Sequence, residues 1–292
     1  MKKKSSLKHT GAFWAFCAPC CILFGVFFLV PLVLSIAFSF TNYDGWKTMD
    51  FVGLTNYITL FKDSKFYLSL GRTLLYTVCT LPFRVIIPLL VAVLLCSKSV
   101  AAKSLTRTMV YIPVLMSALV VGITINWMFS QEYGLVNFII RSLGGTALEW
   151  SLNPRLATFV ISFASVWASI GFNMILYIGD INSISNDLYE AATIDGASGV
   201  QAFFRITVPM LAPTTFMVVL LSTVNLLKEY ALVQGITQGG PGLSTTFIIQ
   251  YIFDKGFNQM QYGYASAIST VVMIIFALIA FAQFKVNNGG ET

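Results

Sequence analysis

Charged side chains are scarce in this chain of 292 residues. Asp, Glu, Lys and Arg together make up 10% of the sequence, whereas hydrophobic residues make up 57%. A soluble domain of this length needs a charged surface, and apolar runs of about twenty residues do not recur along it. The composition therefore excludes an ordinary soluble protein and indicates that lipid surrounds most of the side chains.

Histidine is almost absent, which limits the metal and acid–base chemistry open to the chain. The single histidine, His9, lies in the basic N-terminal segment, and three of the five cysteines, Cys17, Cys20 and Cys21, lie in the first apolar run. Their CxxC spacing is compatible with a metal or redox pair, but zinc needs several Cys, His or carboxylate ligands. We interpret these thiols as small apolar side chains and predict no metal site.

Acidic residues are missing from the middle of the apolar runs. An ion-coupled secondary carrier needs buried carboxylates for its ion, and an intramembrane protease or lipid transferase needs a serine–histidine pair or two aspartates. Both classes remain as less favoured alternatives. The sequence also lacks the G-x-x-x-x-G-K-[ST] motif that cradles nucleotide phosphates.

The net charge of +6 is spread over short segments between the apolar runs. It forms no continuous basic face, so we predict no nucleic-acid partner. Lys2, Lys3, Lys4 and Lys8 precede the first run and favour a cytoplasmic N-terminus. That run is too long for a signal peptide and has no A-x-A cleavage site, so we predict that it is retained as a membrane span.

Six apolar runs are long enough to cross a membrane as helices. They lie near Ala12–Phe40, Leu70–Cys96, Thr108–Phe129, Leu156–Gly179, Ile206–Leu227 and Tyr264–Phe284. An even number of spans places both termini on one side, and the acid-free loop with Lys98, Lys103 and Arg107 agrees with a cytoplasmic location. We predict an all-α, multi-pass membrane protein with six transmembrane helices and both termini cytoplasmic.

The connection between the fourth and fifth runs is more elaborate than a simple loop. Its sequence, NDLYEAATIDGASGVQAFFRITVP, predicts two short helices. Asp187 with Glu190 and Ser198 with Gln201 each have capping-box spacing, and Gly196 and Gly199 supply the break between the helices. We interpret this helix-turn-helix as a docking site for a partner; a solvated loop with incidental caps is the alternative.

Two further segments lie outside the spans. The stretch Tyr133 to Leu143 is amphipathic and too short to cross, so we expect it along the outer surface. The sequence TQGGPG, from Thr237 to Gly242, is a turn signal. It predicts an exposed outer loop.

The helix-turn-helix resembles a motif of a known transporter family. Glu190, Ala191 and Ala192 are followed by Asp195, Gly196 and Ala197, and then by Gln201, Phe204, Ile206 and Pro209. This string resembles the EAA loop of ABC-importer permeases. The resemblance covers residues 66–285 and implies a type I ABC importer permease (MetI-like) core with a coupling loop at 186–209. Residues 1–65 would then hold a basic tail, an additional N-terminal transmembrane helix and a short outer loop, and residues 286–292 a cytoplasmic tail.

The resemblance also implies partners. The coupling loop would bind one of two separate ATPase subunits, which hold ATP and Mg, so this chain would carry no cofactor and would not itself be an enzyme. A second homologous permease subunit would complete the pore, and an extracytoplasmic solute-binding protein would deliver the solute. The outer loop, with Thr237, Gly239, Gly240 and Pro241, resembles the TxGGP of carbohydrate permeases and implies a binding-protein contact. YGYASAIS, from Tyr262 to Ser269, resembles the start of their last span.

A sugar that crosses the membrane needs hydrogen-bonding and aromatic groups within the spans. The residues themselves offer Trp167, Ser169 and Asn173 in the fourth run and Asn225 in the fifth, with Lys228 and Glu229 at its end. The i, i+4 spacing of Asn225 and Glu229 predicts that both face the same side of the pore.

The resemblance to the maltose-type permease implies a sugar path along these two runs. The positions concerned are Ile170, Gly171 and Met174, and Asn225, Leu226 and Glu229. The family's W-x-G-F-P-Y is WASIGFNM here, with Asn173 in place of proline and Met174 in place of tyrosine. This departure leaves the identity of the sugar open, and a non-sugar solute such as glycerol phosphate remains an alternative.

Arg84 is the one charge deep in an apolar run, between Pro82 and Pro88. An ion at this depth is a candidate functional group. Snorkelling towards a helix end, or hydrogen bonds to carbonyls freed by the two prolines, explains it as well.

Overall fold

The computed structural model describes residues 5–46, 49–97 and 103–286, with side chains from Trp14 onward. Residues 1–4 of the predicted basic tail and residues 287–292 of the predicted C-terminal tail therefore lie outside the described residues. Within these ranges the chain forms fifteen α-helices, and its β-structure is limited to an isolated bridge between Thr41 and Phe51. The predicted all-α class is confirmed.

The helices follow the apolar runs and the segments between them. In chain order they are α1 (Ser5–Phe24), α2 (Val30–Phe38), α3 (Thr55–Lys62), α4 (Ser64–Cys96), α5 (Lys103–Tyr111), α6 (Ala118–Met128), α7 (Leu135–Ser142), α8 (Pro154–Ile181), α9 (Asn186–Ile194), α10 (Gly199–Ala202), α11 (Val208–Met210), α12 (Ala212–Leu227), α13 (Ala231–Ile236), α14 (Ile248–Phe253) and α15 (Tyr262–Val286). A π-helical turn, Gly25–Leu29, joins α1 to α2.

Four of these elements are continuous helices long and apolar enough to cross a membrane. They are Trp14–Phe38, which contains the end of α1 and α2, together with α4, α8 and α15. The other two predicted spans are broken helix pairs. Residues Lys103–Leu115 and Ala118–Met128 meet at 103°, and Gly199–Met210 and Ala212–Leu227 meet at 67°. The count of six spans holds if each bent pair is one span.

Both bends have local causes. Pro113 lies in the 3₁₀ segment Ile112–Leu115, and the next residues, Met116 and Ser117, have extended backbones with ψ of 145° and 136°. In the second pair, Leu211 leaves helical geometry at ψ 6° and Pro213 lies in the first turn of α12. Proline fixes φ and has no amide hydrogen to donate, so a helix restarts after it more readily than it continues through it.

The chain folds as two compact units. The first takes the described residues up to Ser64 together with Ile252–Ile275. In this unit the Gly263 amide donates to the Tyr43 carbonyl at 2.9 Å, and the Tyr264 hydroxyl donates to the Asp63 carboxylate at 2.7 Å. The apolar window of Trp14–Phe38 has no buried residue in this chain.

The second unit takes Lys65–Tyr251 together with the described residues from Phe276 onward. It holds two apolar clusters. One gathers Tyr76, Val121, Ile125, Phe129, Trp150, Val160, Ile161, Ala164, Leu226, Leu232, Val233, Ile236 and Phe247. The other gathers Ala92, Leu95, Met174, Tyr177, Ile178, Ile184, Leu211 and Val218. These clusters position α8 and α12, which carry most of the predicted solute path.

The amphipathic stretch after α6 is α7, and a buried asparagine fixes it. The Asn137 side chain donates to the Gln131 and Leu148 carbonyls at 3.1 and 3.0 Å and accepts from the Trp150 indole at 3.0 Å. These bonds tie both flanking loops to one turn of helix. The stretch predicted to be amphipathic and too short to cross forms an eight-residue helix. Its place on the outer surface stays a prediction.

Candidate functional site

The segment between α8 and α12 projects from the second unit as a helix-turn-helix. α9 and α10 are its two helices, and the π-helical turn Phe203–Thr207 leads into α11. No residue from Ser185 to Ile206 is buried, whereas Ile184 and Thr207 on either side of the segment are. The Tyr189 hydroxyl lies 2.9 Å from the Thr207 hydroxyl and joins the two arms at their base.

The end of α9 forms a Schellman motif around Gly196. The Gly196 amide donates to the Thr193 carbonyl at 3.1 Å and the Ala197 amide to the Ala192 carbonyl at 2.8 Å. Gly196 has φ +76°, a conformation that glycine adopts without the steric cost of a Cβ. Gly199 instead begins α10, so Gly196 alone makes the turn.

One predicted cap is confirmed and the other is wrong. Ser198 and Gln201 form a reciprocal capping box at the start of α10. At the start of α9 the capping side chain is that of Ser185, which accepts from the Asp187 amide at 3.2 Å. Serine competes well for this position, and α9 therefore begins at Asn186, one residue before the predicted cap at Asp187. Asp187 lies in the first turn, where its charge favours the helix dipole.

The turn encloses a shallow pocket that brings together four of the predicted coupling residues. It is lined by Ala192, Asp195, Gly196, Ala197, Gln201, Ala202, Arg205 and Ile206. Glu190 and Ala191 are exposed on α9 outside this lining, and Pro209 lies farther along, in α11.

Several apolar side chains on the same segment are exposed, which the sequence pattern did not predict. Ile194 is 86% exposed and Phe204 is 64% exposed. Leu188 and Val200 are exposed as well. Leu188 and Ile194 lie on α9, outside the candidate spans, so a polar environment would leave them uncovered, whereas Val200 and Phe204 lie in Gly199–Met210, the first arm of a bent candidate span. A cluster of this kind is typical of a protein-binding surface.

The residues predicted for a solute path on α8 do not share one environment. Trp167 and Ile170 are half-buried, whereas Gly171, Asn173 and Met174 are buried within the chain. A Cβ on Gly171 would lie 2.7 Å from the Val110 carbonyl oxygen, because α5 packs against the helix at that point. Met174 belongs to the second apolar cluster.

The common helix that the predicted pairing of Asn225 with Glu229 requires is absent, and their place on one side of the pore stays a prediction. α12 ends at Leu227, so the two residues are not one turn apart on a common helix. Asn225 is exposed and Leu226 is buried in the first apolar cluster. The Glu229 carboxylate accepts from the Leu232 amide at 3.1 Å, in the first turn of α13.

The TQGGPG sequence forms a compact loop between α13 and α14. Thr245 holds it, with its hydroxyl donating to the Gly240 carbonyl at 2.6 Å and its amide to the Gly239 carbonyl at 3.1 Å. Gln238 and Gly242 are exposed, but Gly239 is buried and Thr237, Gly240 and Pro241 are half-buried. The predicted turn is confirmed, and the loop is exposed only in part because the threonines fold it back on itself; its place on the outer side stays a prediction.

Arg84 does not bond to the carbonyls of its own proline-containing helix. Its Nε and Nη2 atoms donate to the Ser165 carbonyl on α8 at 3.2 and 3.1 Å. The prediction that Arg84 hydrogen-bonds to a backbone carbonyl is thus right. The prediction that this carbonyl belongs to its own helix is wrong, because the acceptor lies on α8.

A family model and two curated relatives all match this chain to membrane components of transport systems. A family model described as "binding-protein-dependent transport system inner membrane component" matches residues 52–288. The chain is 32% identical over 279 residues to the arabinooligosaccharides transport system permease protein AraP of Bacillus subtilis, which covers 94% of this chain and 88% of that protein. It is 32% identical over 276 residues to the lactose transport system permease protein LacF of Rhizobium radiobacter, which covers 93% and 92%.

A solved structure has the same fold. A chain from the crystal structure of a bacterial ABC transporter involved in the import of the acidic polysaccharide alginate superposes with a TM-score of 0.84 and covers 97% of both chains. The two sequences are 23% identical, so this match describes the architecture. The type I importer permease fold is confirmed.

Proposed function

Because the chain belongs to the family of binding-protein-dependent transport system inner membrane components, we propose that it is the permease subunit of an ATP-driven importer of a sugar or oligosaccharide. Membership of this family supports two parts of the proposal, the multi-pass membrane location and the role in transport. The solute class is supported by relatives named for arabinooligosaccharides and lactose, each of which aligns with more than nine-tenths of the chain.

The exposed helix-turn-helix carries the mechanistic part of the proposal. It is held by a capping box and a Schellman motif, yet its apolar side chains Leu188 and Ile194 are exposed in this chain. A partner that buries them would gain about 1.5–3 kcal/mol for each side chain fully buried. We assign this surface to an ATPase subunit, one of two in the assembly, where ATP and Mg bind and hydrolysis takes place.

The remaining partners follow from the architecture of such systems. A second homologous permease would complete the pore, and an extracytoplasmic solute-binding protein would contact the loop with Thr237, Gly239, Gly240 and Pro241. Both termini would lie in the cytoplasm, on the side of the helix-turn-helix.

The solute path lies, in this proposal, along α8 and α12. Of the predicted residues, Asn225 is exposed and Trp167 and Ile170 are half-buried, so their side chains are accessible to a passing solute. An aromatic face and an amide are suited to a sugar ring and its hydroxyl groups. The other predicted residues on these helices are buried and would act indirectly, by fixing how the helices pack; they are Gly171, Asn173, Met174 and Leu226.

Two proline substitutions test the docking role with a matched pair of glycines. Gly196→Pro replaces a residue at φ +76° and removes the amide that donates to Thr193, which proline cannot accommodate. Gly199→Pro falls on the first residue of α10, where proline is favoured, and follows Ser198 at φ −71° and ψ 159°, a conformation compatible with a following proline.

The measurement uses the full importer complex in liposomes. We expect Gly196→Pro to lose co-purification of the ATPase subunit and binding-protein-dependent uptake, and Gly199→Pro to retain both. Uptake at the unaltered rate in Gly196→Pro would refute the docking role. A panel of mono- and oligosaccharides, with glycerol phosphate included, then tests the solute class separately.

A further inference from the structure

The short helix α3 is bonded directly to the end of the first membrane span. The Asn56 side-chain amide donates to the Ser39 and Thr41 carbonyls at 2.9 and 2.8 Å, and the Tyr57 hydroxyl lies 2.7 Å from the Ser39 hydroxyl. Ser39 is the residue that caps the end of α2, and it is fully buried. These bonds hold the first turn of α3 at the depth at which the span ends.

The chain on the other side of α3 also keeps it close to the membrane surface. α3 ends at Lys62, and a single residue, Asp63, separates it from α4, the next span. Asp63 has an extended backbone with ψ 103°, so α3 is a separate helix and not a continuation of α4. One residue spans at most about 3.6 Å, so the end of α3 lies as close to the start of α4 as its first turn lies to the end of α2.

The apolar side chains of α3 are exposed. Leu54, at the N-cap, is 61% exposed, Ile58 is 56% exposed and Phe61 is 58% exposed. Their i, i+4, i+7 spacing places them in one row along the helix, which we call the apolar stripe. Lys62 follows the stripe and is exposed as well.

The polar side chains of α3 face the other way. Asn56, Thr59 and Asp63 line a pocket of about 380 Å³ in the first unit, and most of the other residues that line this pocket are polar. A helix on the surface of a soluble protein has the opposite arrangement, with its apolar row against the core and its polar residues in the solvent. An apolar stripe that is exposed at the level of a span end fits lipid better than water.

We propose that α3 is an interfacial anchor whose apolar stripe inserts into the lipid just below the headgroups. Lys62, at the end of the helix, then extends its ammonium group to the headgroup phosphates. Because Asn56 and Tyr57 are bonded to Ser39, the anchor sets the depth at which the first span ends. The apolar window of that span has no buried residue in this chain, so α3 supplies a hold that packing within the span does not. This role goes beyond the proposed import function and does not depend on the solute.

Spin labels on the full chain, with the partners that co-purify, test the anchor in lipid nanodiscs. The five native thiols are replaced, and single cysteines at Ile58, Phe61 or Thr59 carry a nitroxide. Oxygen concentrates in lipid and a nickel chelate in water, so the ratio of the two collision rates reports the surroundings. We expect this ratio to be several-fold higher at Ile58 and Phe61 than at Thr59, which is exposed on the polar side of the same helix. A label at Val33, in the first span, gives the reference value for lipid.

Two results of this measurement would overturn the anchor. A ratio at Ile58 and Phe61 equal to that at Thr59 would show that the stripe meets water. Low collision rates with both reagents would show that protein covers the stripe, as a second permease or a solute-binding protein would.

Photolabelling tests the unaltered sequence, so it holds even if the cysteine-free chain does not fold. A hydrophobic carbene reagent dissolved in the bilayer reacts with the side chains that contact lipid. Digestion and mass spectrometry should find the label on Leu54, Ile58 and Phe61 and not on Asn56 or Thr59. Label on the first span with none on the apolar stripe would refute the insertion of α3 into lipid.

Discussion

The side-chain amide of Asn173 on α8 donates a hydrogen bond of 2.9 Å to the backbone carbonyl of Arg84 on α4. The same amide lies 3.3 Å from the Ser222 hydroxyl on α12. One asparagine thus connects three membrane-spanning elements. Polar contacts of this kind hold helices together in lipid, where the hydrophobic effect does not.

Asn173→Leu should therefore destabilise the chain rather than change its solute preference. The substitution removes both hydrogen bonds and leaves a buried serine hydroxyl without its partner, at a cost of about 1–3 kcal/mol. Unfolding in detergent measures the loss, and uptake by the surviving fraction measures preference. A variant of unaltered stability with a changed sugar preference would place Asn173 in the path instead.

Gly171→Ala should destabilise the packing of α8 on α5. The added Cβ would meet the Val110 carbonyl oxygen at 2.7 Å and the Tyr111 Cα at 2.8 Å, and backbone atoms cannot rotate away. Overpacking of this kind costs about 1–3 kcal/mol. Gly179→Ala, on the same helix with nothing within 4 Å of its Cβ, is the control and should stabilise the helix by about 1 kcal/mol. Equal effects of the two substitutions on unfolding would contradict the packing argument.

Asn225→Leu should reduce uptake while the complex still assembles. The side chain is exposed in this chain, and its loss removes one or two hydrogen bonds to a sugar hydroxyl, each worth about 1 kcal/mol. Uptake efficiency should then fall about fivefold or more. Met217→Leu, two turns earlier on the same helix and also exposed, should leave uptake unchanged. Lost complex yield with normal uptake per complex would instead assign Asn225 to helix packing.

Cysteine labelling tests the orientation in the membrane. With the five native thiols replaced, new cysteines at Ser6 and Asn288 should resist a membrane-impermeant reagent added from outside, because both termini are predicted to be cytoplasmic. Trp46→Cys is the positive control, since Trp46 is exposed in the predicted outer loop after the first span. Strong labelling at either terminus would contradict the six-span topology.

Local sequence patterns predicted the features that depend on neighbouring residues. Apolar runs located the spans, because every backbone polar group in lipid must be satisfied within its own segment. Ser198, Gln201 and Gly196 predicted the turn between α9 and α10, since capping and positive φ depend on a few adjacent positions. The same local reasoning misplaced the start of α9, where two capping residues compete within three positions.

Only the tertiary structure decided which polar residues in the spans are buried and what they bond. Arg84 reaches a carbonyl 81 residues away, and Asn173 bonds a residue 89 positions before it. The helical period of about 3.6 residues predicts which side chains share a face of one helix but not which helix that face meets. Glu229 shows the same limit: its spacing from Asn225 predicts a shared face, but the chain leaves the helix after Leu227 and the carboxylate binds the next helix instead. The sequence by itself determined the apolar spans and the helix-turn-helix between α8 and α12, and the packing of distant helices determined the polar interior between them.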